Sequence, residues 1–478
     1  MNRIMPRLTL TFLLVCILLT ACSPTVILLT DETESTPTPL NPPTSNPKNG
    51  GGAPTPKPTQ PPATQLPTNL GALRGVTVSL WHGLDGESGA LLAQMAAAFS
   101  QSNSWGVQVD VVSQQNLPLL VQAVETVLPT AGHPDLILAP PEYAQTWDAQ
   151  GLVTNLTPYI AHSQLGLSAS EVNDIPAAFW KQGQVDDSQL SVPAVRTARF
   201  LFYNVSFARE LGYTAPPYSA DDFRQQACAA NASWKTDEDQ TNDGFGGWAL
   251  DNTVIDTEAP WTAYAWLHSL GGNVYADEKY NFSTAENQSA LAFLAQLRAD
   301  GCAWLSSAAS NHEALAIHKA LFAAGSLQDL RSQRAAFAGS PDQWTVIAFP
   351  GANPAIVAYG PDYITLKSTQ ARQLAAWLFI RWMLSPENQA RWVRGTGLFP
   401  MRTSTFNLLD NIRNANPQWS AAMDLLPQAK PYPQAAAWPK ARLVLGDGFF
   451  HLFQLNPSAN DVTQILQEMD STLKDLLP

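Results

Sequence analysis

Basic residues are scarce in this 478-residue chain, where 27 lysines and arginines stand against 40 aspartates and glutamates and the net charge is -13. Proteins that bind nucleic acid neutralise phosphates with a concentrated basic surface. The composition therefore excludes nucleic acid as a partner. Charged residues make up only 14% of the chain and hydrophobic residues 45%. Since single cores stop growing near about 250 to 300 residues, we expect two globular units.

The sequence also lacks the short motifs of several enzyme classes. Its seven histidines form no His-Glu-x-x-His pair, and Gly-x-Ser-x-Gly, Walker and Gly-x-Gly-x-x-Gly patterns are absent. The acidic run at 237–244 lacks the central glycine and closing glutamate of a calcium loop, so we interpret it as a solvated turn. We expect no metal, no cofactor and no catalytic residue. A glycosidase needs only two carboxylates, however, so hydrolysis remains an alternative.

Only one long apolar run occurs, and it lies at the N-terminus. Arg3 and Arg7 begin a basic segment, and the run 8–19 that follows is too short for a membrane span of about 20 residues. The sequence Leu-Thr-Ala-Cys then ends at Cys22 and resembles the bacterial lipobox. We predict a lipoprotein signal peptide over residues 1–21 and a lipid on Cys22. This lipid would be the only membrane attachment of an extracytoplasmic, cell-envelope protein. The alternative is a plain signal peptide with an accidental cysteine.

Cysteine is the next scarce residue, with four in the whole chain. Cys16 leaves with the signal peptide and Cys22 takes the lipid, so Cys228 and Cys302 remain as an even pair. In an oxidising compartment such a pair favours one disulfide over two independent buried thiols.

A segment without aromatic residues follows the cysteine that takes the lipid. Between residues 23 and 70 lie twelve of the chain's 37 prolines, together with threonine, serine and a glycine triplet. Such a composition cannot bury enough apolar surface to fold. We predict a disordered Pro/Thr-rich tether over residues 22–73, followed by the folded body.

Strand-like and helix-like segments alternate along that body, which predicts an α/β fold with a parallel sheet. Residues 135–139 are a nearly continuous apolar run, as in a strand that is buried on both faces. One helix is predicted to begin after Ser368. Another follows the N-cap Ser385 and ends before Gly397. The predicted strands are 76–80, 107–111, 135–139, 344–349 and 363–366.

Short motifs in a shared order resemble a known family over nearly the whole of residues 74–478. The matching segments are Leu80-Trp81-His82-Gly83, Pro134-Asp135-Leu136, Phe202-Tyr203-Asn204, Gly325-Ser326-Leu327, Ser385-Pro386-Glu387-Asn388-Gln389 and Gly397-Leu398-Phe399-Pro400. The chain thus resembles the family 1 extracellular solute-binding proteins of bacterial ABC importers, which are similar to maltose-binding protein. The likeness is greatest to their glycerol-phosphate-binding branch.

This resemblance implies a two-lobed, periplasmic-binding-protein-like fold with hinge crossings and an interlobe cleft. The expected crossings are near 195–200, just before Trp344, and near 397–402. The N-terminal lobe would then comprise 74–195 plus 344–398, and the C-terminal lobe 196–343 plus 399–478. The implied partners of a monomeric protein are a small solute, either a sugar or a polyol phosphate, and the transmembrane subunits of an ABC importer. The alternatives are a lipid-anchored, secreted carbohydrate-active hydrolase and a surface scaffold lipoprotein.

Candidate ligand residues lie where strands end, because open α/β sheets bind ligands outside the carboxyl ends of their strands. Trp81, Asp85 and Glu87 follow the first strand, and Glu142 follows the strand at 135–139. Aromatic faces and carboxylates suit a polyol, since rings stack on C–H faces and carboxylates accept from hydroxyls. Trp81 is either a stacking platform or a packing residue, and Glu142 either faces the ligand or is a solvated carboxylate.

The resemblance implies further ligand contacts at Arg196, Thr197, Trp261, Gly325, Ser326, Gly360, Asp362 and Arg442. Arg196 replaces a serine of the branch, and it either grips an anion or forms a salt bridge across the hinge. Gly325 and Ser326 form either a ligand turn or an ordinary helix terminus. Trp261 belongs to an aromatic group with Tyr264 and Trp266, of which we expect two to be core. The branch's aromatics after the second strand are replaced by Gln114, Gln115 and Asn116, a departure that bears on ligand identity.

Overall fold

The computed structural model describes residues 70–84, 86–130, 132–236, 238–250, 258–306, 311–454 and 459–477. All of them belong to one compact unit that spans Pro62–Pro478. The predicted signal peptide, Cys22 and nearly all of the predicted tether lie outside the described residues, as does Asp85. Within the described part of the chain, no helix combines the length and the apolar character needed to cross a membrane.

The folded body begins earlier than the sequence predicts. A 3-10 turn covers Leu70–Leu73, and the side chain of Leu73 is completely buried in the core. Our prediction of a tether that extends to residue 73 is therefore wrong at its end. The side chain of Leu73 packs in the apolar core, so the folded body includes the residues around it.

The elements of the first half of the chain are as follows. The strands are β1 (Thr77–His82), β2 (Gln108–Ser113), β3 (Leu136–Ala139), β4 (Gln184–Val185), β5 (Ser188–Gln189), β6 (Ser191–Pro193), β7 (Thr197–Asn204) and β8 (Trp248–Leu250). The helices are α1 (Gly86–Ser102), α2 (Leu117–Val127), α3 (Pro141–Asp148), α4 (Thr157–Ile160), α5 (Ala169–Asn173), α6 (Ala177–Trp180), α7 (Val205–Glu210) and α8 (Ala220–Trp234).

The second half continues the alternation and ends in helices. The strands are β9 (Tyr275–Ala276), β10 (Lys279–Tyr280), β11 (Ala303–Leu305), β12 (Phe322–Gly325), β13 (Trp344–Ile347), β14 (Ile356–Tyr359), β15 (Asp362–Thr365) and β16 (Ala429–Lys430). The helices are α9 (Ala259–Ser269), α10 (Ala285–Ala299), α11 (His312–Ala316), α12 (Leu330–Ala336), α13 (Gln370–Met383), α14 (Pro386–Thr396), α15 (Asp410–Ala415), α16 (Pro417–Asp424), α17 (Trp438–Gln454) and α18 (Ala459–Leu476).

Two sheets organise these elements into two lobes, which confirms the predicted fold class. The first sheet has the order β2-β1-β3-β15-β6, with β1 parallel to β2 and β3 and with β15 antiparallel to its neighbours. The second has the order β11-β8-β12-β7-β14-β16, and β13 also pairs with β7. All four residues of β3 are buried. Leu136 and Leu138 face one apolar cluster and Ile137 faces another, as expected for a strand covered on both faces.

Two details of the sequence-based prediction are wrong. The side chain that caps α13 is Thr369 rather than Ser368, since its hydroxyl accepts from the backbone N–H of Arg372. The second crossing does not precede Trp344. Strands β13 and β14 extend the second sheet along β7, and the chain enters the first sheet only after Gly360. The helix after Ser385 begins and ends as predicted, with Gly397 in the left-handed conformation at φ 72°.

Cys228 and Cys302 form a disulfide. It joins α8 to the residue before β11, so that a helix of the second lobe is linked covalently to the edge of its sheet.

Candidate functional site

Three crossings of the chain meet around one buried arginine. The backbone N–H of Val195 donates to the carbonyl of Pro361 at 3.1 Å, and the N–H of Phe399 donates to the carbonyl of Arg196 at 3.0 Å. The first, second and third connections between the lobes are therefore hydrogen-bonded side by side at Arg196. We call this group of segments the hinge.

The side chain of Arg196 is fully buried and committed to this hinge. Its Nη1 donates to the carbonyls of Val195, Gly360 and Pro361 at 2.9 to 3.0 Å, and its Nη2 forms an ion pair with Asp362. The other oxygen of Asp362 accepts from the hydroxyl of Ser191 at 2.6 Å. Burial of the charges is compensated by this pairing. Of the two interpretations of Arg196, the geometry therefore favours the structural ion pair. Both carboxylate oxygens of Asp362 are used by Arg196 and Ser191, which favours a structural role for Asp362 as well.

Gly360 is required by the close approach of the crossings. Its φ is 142°, which L residues rarely adopt, and a Cβ atom there would lie 2.3 Å from the carbonyl oxygen of Val195. The glycine therefore permits two connections to touch, and this geometry favours a role in the hinge.

Glu142 is a buried carboxylate that lies between the two lobes. The dipeptide Pro140-Pro141 ends β3 and begins α3, which places Glu142 in the first turn of that helix. The residue is only 4% exposed, and its Oε2 accepts from the hydroxyl of Tyr432, a residue of the second lobe, at 3.1 Å. Burial raises the pKa of Glu142 to about 7, against the lowering effects of its own backbone, of Arg442 and of Tyr432.

An aromatic sandwich lies beside this carboxylate. The ring of Trp261, at the start of α9, stacks on Tyr359 with 4.5 Å between centroids and 7° between planes, and Arg442 lies 5.0 Å from the centroid of the same Trp261 ring. Rings of Tyr432 and Trp438 contact Trp261 edge-on or tilted at 4.8 and 5.8 Å. Trp261 therefore has little free surface for a sugar. The guanidinium group of Arg442 makes a cation–π contact with this ring.

The other two aromatics of this helix are also buried. Trp266 packs in the core of the second lobe against Phe223 and Phe349. The hydroxyl of Tyr264 donates to the carbonyl of Pro431 at 3.3 Å, next to Tyr432.

Three further candidates are engaged within the second lobe, two through their hydroxyl groups and one through the close packing of a neighbouring ring. The hydroxyl of Thr197 accepts from the N–H of Leu327, and the hydroxyl of Ser326 donates to Asp329 in a capping box. Gly325 lies against the ring of Phe202, where a Cβ atom would be 2.1 Å from the nearest carbon. The geometry favours the helix-terminus interpretation for Gly325 and Ser326.

The rim of the first lobe contains an open and uncharged depression of about 460 Å³. Its lining includes Trp81, Gln114, Gln115, Leu119, Gln122 and Thr126. Trp81 is half-buried, with part of its ring packed on the core and part on this depression. Glu87 lies further along the rim, where it is exposed and lies 3.5 Å from Arg331 of the second lobe.

Several residues of the cluster escaped the sequence analysis, namely Glu258, Tyr359, Tyr432 and Trp438. Tyr359 donates to Glu258, and Tyr432 reaches Glu142 from the other lobe. The flanking prolines of Pro431-Tyr432-Pro433 were the available signal, because prolines fix an extended backbone that presents the intervening ring.

The two sheets and the three crossings at the hinge define a class of protein, the two-lobed periplasmic binding proteins. Solved structures of that class superpose on this chain. The sugar-binding protein MalE from Xanthomonas citri matches with a TM-score of 0.71 and 21% identity, over 84% of this chain and 98% of its own. The cyclic alpha-maltosyl-1,6-maltose binding protein from Arthrobacter globiformis matches with a TM-score of 0.69 and 18% identity, over 84% and 99%.

A third solved structure has a different ligand. UgpB from Mycobacterium tuberculosis in complex with glycerophosphocholine matches with a TM-score of 0.66 and 17% identity, over 84% of this chain and 99% of its own. No curated protein matches the sequence. At these identities the likeness establishes the fold and leaves the ligand open.

The family follows from the sequence itself. The model of the bacterial extracellular solute-binding proteins matches residues 94–427, well over half of the chain. The chain belongs to this family. It is thus an extracytoplasmic solute-binding protein and not an enzyme.

Proposed function

We propose that the protein is the lipid-anchored substrate-binding component of an ABC importer. In this proposal it acts as a monomer and captures a neutral, polyhydroxylated solute, a sugar or a polyol, by closure of its two lobes. The observation that carries the proposal is the buried hydrogen bond between Glu142 and Tyr432, which joins the two lobes. Glu142 lies just beyond the carboxyl end of β3, and open α/β sheets bind ligands at the carboxyl ends of their strands.

The chemistry of this cluster suits hydroxyl groups. A carboxyl group, a tyrosine hydroxyl and a guanidinium group converge from both lobes at Glu142, Tyr432 and Arg442. Hydroxyls of a solute can donate to the carboxyl oxygens and to the oxygen of Tyr432, whose own proton is directed at Glu142, and they can accept from the guanidinium group. The amide-lined depression beside Trp81 adds neutral donors and acceptors on the first lobe. A polyol phosphate is the second ligand class to test, since Arg442 is the cation that the structure places beside the aromatic sandwich.

Closure follows from binding to both lobes at once. A solute that contacts Glu142 and Arg442 stabilises only the conformation in which they are close, so it shifts the population toward the closed state. The hinge at Arg196 suits this motion, because its hydrogen bonds hold the three connections side by side between the lobes.

Binding is tested with the purified mature protein and a panel of maltotriose, α-D-tagatose, ribitol and glycerophosphocholine, which are ligands of solved relatives. At a hundredfold excess over its dissociation constant, a true ligand stabilises the protein by about 2.7 kcal/mol in a thermal-shift assay. Glu142→Gln should weaken that binding. Glu286→Gln, an exposed carboxylate at the start of α10, is the control that should not.

Two further measurements address closure and anchoring. Small-angle scattering should show compaction when the bound solute saturates the protein. Cys22→Ser should release the protein from the membrane fraction of cells that express the full chain. If no solute of the panel stabilises the protein and scattering shows no compaction, the surface-scaffold alternative would be favoured.

A further inference from the structure

Glu142 and Tyr432 are each held by their own lobe. On the first lobe, Glu142 lies in the first turn of α3, the helix that follows the buried strand β3. On the second lobe, the ring of Tyr432 packs against the rings of Trp261 and Trp438, with 4.8 and 5.7 Å between centroids. The side-chain amide of Gln434 donates to the carbonyl of Tyr432 at 2.8 Å. The hydrogen bond between Glu142 and Tyr432, which we call the interlobe bond, therefore joins side chains that each move with their own lobe.

The interlobe bond is made by protein groups alone and is shielded from water. The hydroxyl of Tyr432 donates to Oε2 of Glu142 at 3.1 Å, and the two residues are 3% and 4% exposed. A hydrogen bond to an ionised carboxyl group is stronger than one between neutral groups, and a low-dielectric environment strengthens it further. Rotation of one lobe away from the other breaks the bond. The contact therefore favours the arrangement in which the lobes are close.

Two other polar contacts between the lobes are less suited to this role. Glu87 and Arg331 lie 3.5 Å apart at the rim, but both side chains are largely exposed, and exposed ion pairs contribute little to stability. The side-chain amide of Gln182 donates to the backbone carbonyl of Ala358 at 3.0 Å. Its acceptor is neutral, whereas the acceptor of Tyr432 is a carboxyl group. The interlobe bond therefore combines burial with the stronger acceptor.

We propose that Tyr432 is a positioning residue that holds the two lobes together through Glu142, so that part of the protein population is closed before a solute binds. The consequence of this closure for affinity rests on the proposed function. A ligand binds more tightly when a larger fraction of the protein is already in the competent conformation. The interlobe bond thus raises the affinity for the solute by a route that does not depend on a contact between the solute and Tyr432.

The test measures the radius of gyration of the solute-free protein by small-angle scattering. Tyr432→Phe removes the donor and keeps the ring. It should lower the ratio of closed to open protein about tenfold and so raise the radius of gyration. Tyr203→Phe is the matched control, because its buried hydroxyl donates at 2.9 Å to Gln226 within the second lobe. Its loss should leave the radius of gyration unchanged.

Glu142→Leu addresses the same bond from the first lobe, because it removes the acceptor and fills the space with an apolar side chain. It should expand the solute-free protein as much as Tyr432→Phe does. The double variant should expand no further than either single variant, since both substitutions break one interaction. The two single variants also make the test independent of the folding of either one.

The outcomes separate this proposal from the proposed function. If the solute-free radius of gyration of Tyr432→Phe equals that of the wild type, the role of Tyr432 is overturned, and equal expansion of Tyr203→Phe overturns it as well. Additive expansion in the double variant would also contradict a shared bond. If the wild type nevertheless binds a solute of the panel, the proposed function stands without the interlobe bond. If Tyr432→Phe expands but no member of the panel binds the wild type, the bond stands and the proposed function fails.

Discussion

The buried carboxyl group of Glu142 makes a quantitative prediction about pH. Burial raises its pKa from an ordinary value of 4.5 to about 7 in the folded protein. The folded state therefore binds more protons than the unfolded state between these two pH values. Stability that is present below about pH 4.5 is lost as the pH rises through 7.

The magnitude follows from about 1.4 kcal/mol for each pH unit by which the two pKa values differ. At pH values below 4.5 the raised pKa of Glu142 contributes about 3 kcal/mol to the free energy of unfolding, and most of this contribution is lost between pH 4.5 and 7. Between pH 6 and pH 8 the wild-type protein should lose about 1.3 kcal/mol of its unfolding free energy through this group alone. Glu142→Gln keeps an oxygen that can accept from Tyr432 and removes the titration.

The assay is urea unfolding followed by tryptophan fluorescence at pH 6, 7 and 8 for the wild type and Glu142→Gln. Subtraction of the variant's pH profile cancels the titration of other groups. The reasoning is refuted if the two profiles are parallel, or if the wild type gains stability relative to the variant as the pH rises. Titratable and charged groups that interact electrostatically with Glu142 are Tyr432, Arg442 and Asp362, together with Tyr143 and Tyr280.

Three other substitutions test the hinge and the disulfide by the same unfolding assay. Asp362→Ala leaves Arg196 buried and unpaired and should destabilise the protein by about 3 to 5 kcal/mol; Asp410→Ala breaks an exposed pair with Arg413 and should remove less than about 1 kcal/mol. Equal effects of the two would contradict the assigned hinge role. Gly360→Ala should be much more destabilising than Gly397→Ala, which should be limited to about 1 kcal/mol, because only the first places a Cβ against another backbone. Comparable losses would argue against the close approach at the hinge. Removal of the Cys228–Cys302 bridge, which spans 74 residues, should lower stability by about 4 kcal/mol in the chain-entropy model. A melting temperature that does not change with reductant would exclude a stabilising disulfide.

Local patterns predicted the parts of the fold that depend on neighbours in the chain. The apolar run at 135–139 predicted a strand buried on both faces, and the structure places β3 there with every residue buried. Ser385, Pro386 and Gly397 predicted a helix with its ends, because capping depends on side chains within a few residues. The same local pattern placed Glu142 at the end of this strand, and it left open whether the carboxylate faces a ligand or solvent.

Other features depend on segments far apart in the chain. The sequence left two interpretations of Arg196, and only the pairing with Asp362 and the carbonyls of Gly360 and Pro361 distinguishes them. The second crossing was misplaced because the strand pattern that begins at Trp344 is compatible with a strand of either lobe. Its pairing with Asn204 of β7, rather than any property of its own segment, assigns it to the second sheet.

The sequence alone determined the compartment class, the α/β alternation, the family and the presence of a carboxylate at the end of β3. These properties are encoded in composition and in short periodic patterns. The tertiary structure alone decided that Glu142 meets Tyr432 and that Trp261 contacts Arg442 instead of offering a free face. Contacts between residues so far apart along the chain depend on how the two sheets are arranged across the hinge, and no local pattern contains that arrangement.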